Sequence, residues 1–580
     1  MKTHSRTWRH RLLGRLLVEK NFLSWEQLDK ALELQKTVKM PLGEVLVQMG
    51  LVTEQEVSEV LAEQLQISFV DVASLDRIDS DVVKLIPEDL ARRHTVLAID
   101  RNDRVLSVIM ANPTDVVAID DLRWVTKLEI APSIGLKKDI TEAINRVYYG
   151  LAARGIEDVV REFSETDLEL AEKENRDEEF DLTQVRIQAD DPPVVKFVNF
   201  MITQAVFQRA SDVHIEPYSD SLKIRCRVDG RLSEMAPAPK AMHMALVSRI
   251  KILANLDIAE RRLPQDGSFG MRIDRRAVDF RVSTLPTVYG EKVVLRLLEK
   301  EAISRGDFQL ENLGFEPEQL EIFKKYILRP QGMVLLTGPT GSGKTTTLYT
   351  VLNLIKDDTK NLVTVEDPVE YRLAGIQQVQ ARPEIGLTFA KALRSILRQD
   401  PDVIMVGEIR DLETAQMAVR SAMTGHLVLS TLHTNDATGV ITRLINIGIE
   451  AFLTATSVNL SVAQRLIRRI CPHCKEPYTP EGEVLKRLGL EGHADGLVLH
   501  RGKGCRVCRK SGYSGRIGLF EVFEVTPEIR EMIFQNTSQG EIKEKAIEAG
   551  MMTLRQSGVR KVLSGATTLE ECLAVTIEED

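Results

Sequence analysis

The stretch that decides the fold reads GPTGSGKT and occupies residues 338–345. It fits the pattern of a glycine, four residues and Gly-Lys-Ser/Thr, in which glycines let backbone N–H groups converge on phosphates. An apolar run at 333–337 precedes it, and the residues from Thr346 onward predict a helix. A buried strand, a glycine-rich turn and a helix in this order predict a P-loop for a nucleoside triphosphate.

The pattern assigns a role to each residue of this loop. Lys344 is expected to reach the β- and γ-phosphates, and Thr345 is expected to hold Mg²⁺. The residues predicted to bind ATP are Gly338, Pro339, Thr340, Gly341, Ser342, Gly343, Lys344, Thr345 and Thr346. The alternative is a glycine-rich turn without a ligand, and the flanking strand and helix argue against it.

Two acidic residues follow apolar runs in the same region. Glu408 comes shortly after the run at 403–406, and Glu366 comes directly after the run at 363–365. The carboxyl ends of parallel strands meet at one edge of a sheet, where ligands bind. Glu408 is therefore predicted to act on Mg²⁺, directly or through water, and Glu366 to activate the attacking water. For each acid, the alternative is a solvated strand end.

Two histidines flank the next apolar run along the chain. His426 precedes residues 427–432, and His433 follows them. Because this run comes next after Glu408, either histidine is a candidate to sense the γ-phosphate. A structural role at a strand end is the alternative for both.

Four motifs of this region resemble the conserved boxes of the secretion ATPase family, which drives type II secretion and type IV pilus assembly. GPTGSGKT, VEDPVEY at 365–371, the strand that ends in Gly407-Glu408 and TGHLVLSTLHTND at 424–436 are similar to its Walker A, Asp, Walker B and His boxes. Upstream, SDVHIEP at 211–217 and RLPQDG at 262–267 are similar to the second N-terminal domain of the same family.

The resemblance implies a hexameric ring of RecA-like motors, each paired with a PAS-like domain, with ATP bound between the two. It makes Glu408 the Walker B carboxylate and Glu366 the base. It also implies that Arg281 and Arg296 approach the nucleotide from the PAS-like domain, where a guanidinium stabilises the charge of the transferring phosphoryl group. Surface ion pairing is the alternative for both arginines.

Four of the six cysteines form two Cys-x-x-Cys pairs, Cys471 with Cys474 and Cys505 with Cys508. Four thiolates in two such pairs suit tetrahedral Zn²⁺ with no open position, so the predicted site is structural. A redox function is the alternative. In the resembled family, assembly motors carry a tetracysteine element that retraction ATPases typically lack, which favours an assembly or secretion motor.

A repeat with a period of 29 residues occupies the first 65 residues, and it pairs Gly14 with Gly43 and Leu28 with Val57. Each copy predicts a short helix followed by a longer helix with a capping box, in which a hydroxyl and the side chain three residues later satisfy free N–H groups. The predicted capping pairs are Ser24 with Gln27 and Thr53 with Glu56.

The repeat resembles an N-terminal domain that binds cyclic-di-GMP in some secretion ATPases through paired Arg-Leu-Gly motifs. Here Leu12 and Pro41 stand where the two motif arginines are expected, and Asn21 replaces the glycine that the second copy has as Gly50. Docking to an inner-membrane platform protein is therefore expected, and cyclic-di-GMP is the alternative ligand.

Composition and patterning divide the chain of 580 residues into four parts and predict an α/β multidomain fold. The segment 157–181 has 12 acidic and 3 basic residues, and so predicts a linker. The parts are a mostly helical docking or regulatory domain at 1–150, an acidic linker at 151–189, an α+β domain at 190–305 and a P-loop ATPase domain at 306–580, with the zinc-bearing insertion at 471–515. The resemblance implies that the α+β domain is PAS-like and that the ATPase domain is RecA-like.

The predicted function is a homo-hexameric motor that uses ATP, Mg²⁺ and a structural Zn²⁺ to power pilus or pseudopilus assembly through an inner-membrane platform protein. A cyclic-di-GMP-responsive signalling ATPase and a nucleic-acid motor are the alternatives. A net charge of −9 argues against a nucleic-acid partner. Because the chain has no apolar stretch of 18 residues and no secretory signal pattern, we expect it in the cytoplasm, at the inner membrane only through the machinery.

Overall fold

The computed structural model describes residues 13–38, 40–72, 78–144, 147–148, 192–273, 276–299, 309–480 and 497–576. The acidic linker predicted at 151–189 and Leu12 lie outside the described residues. The chain divides into two compact units, and the first comprises 1–207 together with 220–222 and 238–249. This division does not separate 190–305 from 306–580 at the expected boundaries, so the four-part organisation stays a prediction.

The repeat forms two similar helical hairpins. Their helices are α1 (Leu13–Glu19), α2 (Trp25–Val38), α3 (Leu42–Gln48) and α4 (Glu54–Leu65). Both predicted capping boxes are present. A Cβ atom on Gly14 would lie 2.5 Å from Leu28, and one on Gly43 would lie 2.8 Å from Val57. The matched glycines therefore allow the same close helix contact in each copy, which confirms the repeat.

The rest of the first unit has a small sheet covered by helices. Its helices are α5 (Ser80–Val83), α6 (Glu88–His94), α7 (Val116–Thr126), a helical stretch at 137–144 and α8 (Pro192–Phe207). Its strands are β1 (Val96–Asn102), β2 (Val105–Met110) and β3 (Glu129–Ile134). β2 pairs antiparallel with β1 and parallel with β3.

A six-stranded sheet precedes the P-loop region, in the order β6-β5-β4-β9-β8-β7. Its strands are β4 (Asp212–Pro217), β5 (Leu222–Val228), β6 (Arg231–Ala238), β7 (Gln265–Ile273), β8 (Arg276–Thr287) and β9 (Gly290–Glu299), and α9 (Met242–Leu253) lies between β6 and β7 in the chain. β8 pairs antiparallel with both neighbours, so residues from β8 and β9 face each other in register.

A seven-stranded sheet carries the P-loop, in the order β12-β11-β13-β14-β10-β15-β18. Its strands are β10 (Gly332–Thr337), β11 (Leu362–Glu366), β12 (Gln377–Gln380), β13 (Val403–Val406), β14 (Leu427–Leu432), β15 (Val458–Ile470) and β18 (Tyr513–Glu524). The first six run parallel, and β18 is antiparallel to β15. The carboxyl ends of β10, β11, β13 and β14 therefore lie at one edge.

Helices cover this sheet, and a short hairpin extends from it. The helices are α10 (Pro317–Ile327), α11 (Lys344–Ile355), α12 (Phe389–Ile396), α13 (Leu412–Met423), α14 (Gly439–Ile447), α15 (Ala451–Ser457), α16 (Pro527–Phe534), α17 (Gln539–Glu548), α18 (Leu554–Leu563) and α19 (Leu569–Val575). The hairpin consists of β16 (Lys475–Tyr478) and β17 (Leu499–Gly502). β10, β13 and β14 are buried along their whole length, as strands covered on both faces are.

In the described part of the chain, none of the helices combines the length and the apolar character that crossing a bilayer requires.

Candidate active site

The P-loop joins β10 to α11 through three glycines in conformations that side chains disfavour. Gly338, Gly341 and Gly343 have φ values of 142°, 81° and 89°. A Cβ atom on Gly338 would lie 2.5 Å from the carbonyl oxygen of Gln464, and one on Gly343 would lie 2.8 Å from the Nε2 atom of the same residue. The loop therefore needs glycine both for its turn and for its close approach to β15.

The interior of the loop is polar and incompletely paired. Lys344 is 8% exposed, and its Nζ atom donates to the carbonyl oxygens of Gly338, at 2.8 Å, and Pro339, at 3.1 Å. Burial lowers the pKa of Lys344 to about 8, although the charge of Glu408 opposes the shift. The buried Ser342 hydroxyl has no hydrogen-bond partner among the described residues. An ammonium group and a free hydroxyl in one loop fit phosphate oxygens, which accept from both.

Glu408 lies just beyond the carboxyl end of β13, with its side chain 13% exposed. Arg410 contacts one carboxylate oxygen at 2.5 Å, and the Nε2 atom of His433 lies 3.5 Å from the other. Glu408 is also close enough to Lys344 to influence its pKa. The structure therefore brings together Lys344, Glu408 and His433, three of the residues that the sequence predicted for the site.

His426 lies at the opposite edge of the sheet. It precedes β14, whose first residue pairs with Gly332 at the start of β10, whereas the P-loop follows the end of β10. A strand of six residues spans about 20 Å. The Nδ1–H group of the His426 ring donates to the carbonyl oxygen of Ser421 at 2.9 Å. The expectation that His426 senses the γ-phosphate is therefore wrong for the P-loop of the same chain, because the residue begins the strand instead of ending it.

Glu366 ends β11 and is 3% exposed. Its carboxylate accepts hydrogen bonds from the Tyr349 hydroxyl, from the Thr364 hydroxyl at 2.6 Å and from the Gln378 amide at 3.2 Å. A Cβ atom on Gly407 would lie 3.4 Å from the Cα atom of Glu366, so the ends of β11 and β13 lie side by side. Neither Tyr349 nor Gln378 was predicted from the sequence. Tyr349 belongs to the buried face of α11, the helix that follows the P-loop.

The two predicted arginines occupy facing positions on β8 and β9. One guanidinium nitrogen of Arg281 donates to the carbonyl oxygen of Val369 at 3.1 Å, and the other lies 3.1 Å from the Glu370 carboxylate. Arg296 instead donates to Asp212 at 2.9 Å. Arg281 thus contacts the loop that follows Glu366, whereas Arg296 pairs within its own sheet.

Arg465 lies beside the P-loop and was not predicted. Its guanidinium donates to the carbonyl oxygens of Asn435, at 2.8 Å, and Gln464, at 3.3 Å. Burial lowers the pKa of Arg465, and its charge contributes to the lowered pKa of Lys344. Because β15 is far from the P-loop in the chain, only the strand order could have revealed this second cation.

The four predicted metal ligands converge. The Sγ–Sγ distances are 3.9 Å for Cys471 and Cys505, 3.7 Å for Cys474 and Cys508, and 3.7 Å for Cys505 and Cys508. A tetrahedron with Zn–S bonds of about 2.3 Å has S–S edges of about 3.8 Å. All four sulfur atoms lie within 4.8 Å of one another, so the residues fit zinc. His473 is exposed and is not part of this cluster.

Two family models match the chain. The model described as "Type II/IV secretion system protein" matches residues 187–574, and the model described as "MshEN domain" matches residues 53–154. The matches confirm the resemblance on which the expectations for the P-loop region and the N-terminal region depended.

Named relatives align along nearly the whole chain. The type IV pilus assembly ATPase PilB of Myxococcus xanthus is 44% identical over 97% of this chain and 98% of its own length. The type II secretion system protein E of Xanthomonas campestris pv. campestris is 41% identical over 97% of both chains. Among solved structures, the ATPase DotB of Legionella pneumophila covers 65% of this chain and 95% of its own, with 20% identity and a TM-score of 0.48.

Proposed function

The chain belongs to the type II/IV secretion system protein family, and on that premise we propose that it is an ATP-hydrolysing motor that powers the assembly of type IV pili or of the type II secretion pseudopilus. The observation that carries this proposal is geometric: Lys344 follows the carboxyl end of β10, Glu408 follows that of β13, and both ends lie at the same edge of the parallel sheet. A buried cation beside a carboxylate is the arrangement that binding and hydrolysis of ATP with Mg²⁺ requires.

The proposed chemistry uses groups that are already in place. The Lys344 ammonium exchanges its two carbonyl partners for β- and γ-phosphate oxygens, and the Ser342 hydroxyl and the loop N–H groups gain acceptors. Thr345, which is exposed, and Glu408 would hold Mg²⁺, which neutralises phosphate charge. Glu366 would accept a proton from the attacking water. His433 would sense the γ-phosphate through its contact with Glu408.

We place the arginines at the coupling step. Arg281 already contacts the loop after Glu366, so a small displacement of the six-stranded sheet would move its guanidinium relative to the bound phosphates. Arg296 would have to leave Asp212 to take part. In this proposal, a homo-hexamer binds ATP between the PAS-like and RecA-like parts, and closure of one part on the other converts hydrolysis into movement.

Zinc would have a structural role in the motor. The cysteines Cys471, Cys474, Cys505 and Cys508 would hold Zn²⁺ in a closed tetrahedral site, which supplies cross-linking and no reactive position. Because Cys471 directly follows β15, the ion would fix the β16–β17 hairpin to the end of a strand of the P-loop sheet.

The N-terminal repeat would dock the motor on an inner-membrane platform protein, which keeps the chain cytoplasmic and peripheral to the membrane. The close contacts of Gly14 with Leu28 and of Gly43 with Val57 give both repeat glycines a packing role. These glycines therefore do not require a bound dinucleotide, and Pro41 stands at a position where an arginine would contact phosphate. For these reasons we favour docking over cyclic-di-GMP binding.

The experiment that tests the proposal compares Lys344→Ala with Lys391→Ala, an exposed lysine on α12. Lys344→Ala should abolish ATP binding, and turnover should fall by a factor on the order of a hundred or more, because one preorganised charge partner is worth that much. Lys391→Ala should behave as the unchanged chain in both assays. Robust hydrolysis by the Lys344→Ala protein would contradict the assignment.

A further inference from the structure

A buried tyrosine connects the P-loop helix to Glu366. Tyr349 lies on α11 four residues after Thr345, and its hydroxyl donates to the Oε2 atom of Glu366. Tyr349 is 2% exposed and Glu366 is 3% exposed. Burial and the neighbouring Glu366 charge raise the pKa of Tyr349. The phenol therefore stays protonated and donates to the carboxylate throughout the physiological range.

The hydrogen bonds of Glu366 leave a defined acceptor site. A carboxylate offers about four lone-pair sites on its two oxygens. Oε1 accepts from the Thr364 hydroxyl at 2.6 Å and from the Gln378 amide at 3.2 Å, whereas Oε2 accepts from Tyr349. Among the described residues, Oε2 therefore keeps one unused acceptor site. The hydrogen bond from Tyr349 fixes the direction in which that site points.

The same hydroxyl also contacts the loop that Arg281 reaches. The backbone N–H of Glu370 donates to the Tyr349 oxygen at 3.3 Å. Arg281 contacts this residue through its carboxylate and the preceding residue, Val369, through its carbonyl oxygen. Tyr349 therefore joins the P-loop helix, the Glu366 carboxylate and the loop after it at a single atom.

We propose that Tyr349 is a positioning residue for hydrolysis, whose hydroxyl orients the Glu366 carboxylate so that the remaining site of Oε2 accepts the proton of the attacking water. The inference rests on the proposed role of Glu366 as the base. Because Tyr349 is part of the helix that begins at Lys344, a shift of this helix on nucleotide binding moves the carboxylate with the phosphates.

The test is Tyr349→Phe, which removes one oxygen atom and keeps the ring. The turnover number should fall about tenfold, because a base that loses its orientation loses the near-attack geometry. The KM for ATP should change less than about twofold, since the phosphate ligands are untouched. The matched control is Tyr326→Phe: this tyrosine on α10 is 4% exposed and donates to Glu524 at 2.5 Å. The control should keep wild-type turnover and KM.

Each outcome decides the question. An unchanged turnover number for Tyr349→Phe overturns the inference. The inference is also overturned if Tyr349→Phe raises KM, lowers the turnover number and lowers the midpoint of thermal unfolding together, because that result identifies a structural residue. Glu366→Gln separates the two proposals: if it hydrolyses ATP at the wild-type rate, the base assignment fails, and if it is inactive while Tyr349→Phe is normal, only the role of Tyr349 fails.

Discussion

At the scale of single residues, the Glu408 carboxylate has basic side chains around it. Arg410 lies at 2.5 Å and His433 at 3.5 Å from its oxygens, and Lys344 is near enough for its pKa to respond to the Glu408 charge. A carboxylate in this position can exchange a cationic side chain for a metal ion without becoming unpaired. The residue is therefore suited to a site whose charge changes when ATP and Mg²⁺ arrive.

Glu408→Gln should separate binding from hydrolysis. The amide keeps the size of the side chain and loses its charge, so we expect turnover to fall by a factor on the order of a hundred, the usual cost of one lost electrostatic partner in an active site. Affinity for a fluorescent ATP analogue should stay within about threefold, because Lys344 and the loop N–H groups still bind the phosphates. The control is Glu413→Gln, an exposed residue that pairs with Arg394 at 2.9 Å.

Residue positions at the carboxyl ends of parallel strands could be predicted from the sequence, and contacts between distant elements could not. Lys344, Glu408 and His433 all follow apolar runs, and parallel strands bring such positions to one edge. The same reasoning was wrong for His426, which precedes its run. Tyr349 was missed because its partner, Glu366, carries no mark of the pairing in the sequence, and Arg465 because its strand lies more than a hundred residues beyond the P-loop in the chain.

At the scale of elements, the four-cysteine cluster joins the end of β15 to the β16–β17 pair, which also packs through Leu499 against Val562 and Leu569. β16 and β17 form a hairpin of two four-residue strands, and an isolated pair of this size is marginal in water. Backbone N–H groups of Gly504 and Gly512 donate to the sulfur atoms of Cys474 and Cys508, each at 3.3 Å. Such donors stabilise thiolates, which is the form in which cysteines would bind a metal ion.

We expect one zinc per chain, lost in Cys471→Ser. The purified chain should release one equivalent of zinc on denaturation with a chromogenic chelator, whereas the variant should release almost none, because three thiolates leave an open position. Removal should also lower the midpoint of thermal unfolding, since metal binding contributes folding free energy. Cys226→Ala, at a buried cysteine outside the cluster, should retain its zinc. A metal-free chain that is stably folded would contradict this prediction.

Elements with a local signal were predicted better than those that depend on distant partners. The capping pairs of Ser24 and Thr53 fixed the starts of α2 and α4, because a cap is a contact between neighbours in the chain. The long antiparallel pair of β15 and β18 was not predicted. The alternation of apolar and polar residues is weak in these strands, because β15 is buried over most of its length and β18 over half of its length. In addition, 42 residues separate the end of β15 from the start of β18.

At the scale of the whole molecule, charge is distributed unevenly along the chain. The 12 acidic and 3 basic residues of 157–181 give this segment a net charge of −9, which equals that of the entire chain. The remaining residues are therefore close to neutral in sum, although Lys344 and Arg465 lie together at the P-loop. A motor with this distribution attracts ATP locally without a generally basic surface, which argues against a nucleic-acid track.

The identity of the machine can be tested in cells that carry Lys344→Ala in place of the natural chain. Because this change removes the phosphate-binding ammonium and leaves the exposed surfaces intact, the motor should still occupy its place and stop the assembly that it drives. We expect the loss of one filament system, measured by imaging surface filaments and assaying secreted proteins in the same culture. Loss of filaments alone assigns the motor to pili, and loss of secretion alone assigns it to the pseudopilus. Lys391→Ala is the control, and normal filaments with normal secretion in the Lys344→Ala cells would contradict the motor function itself.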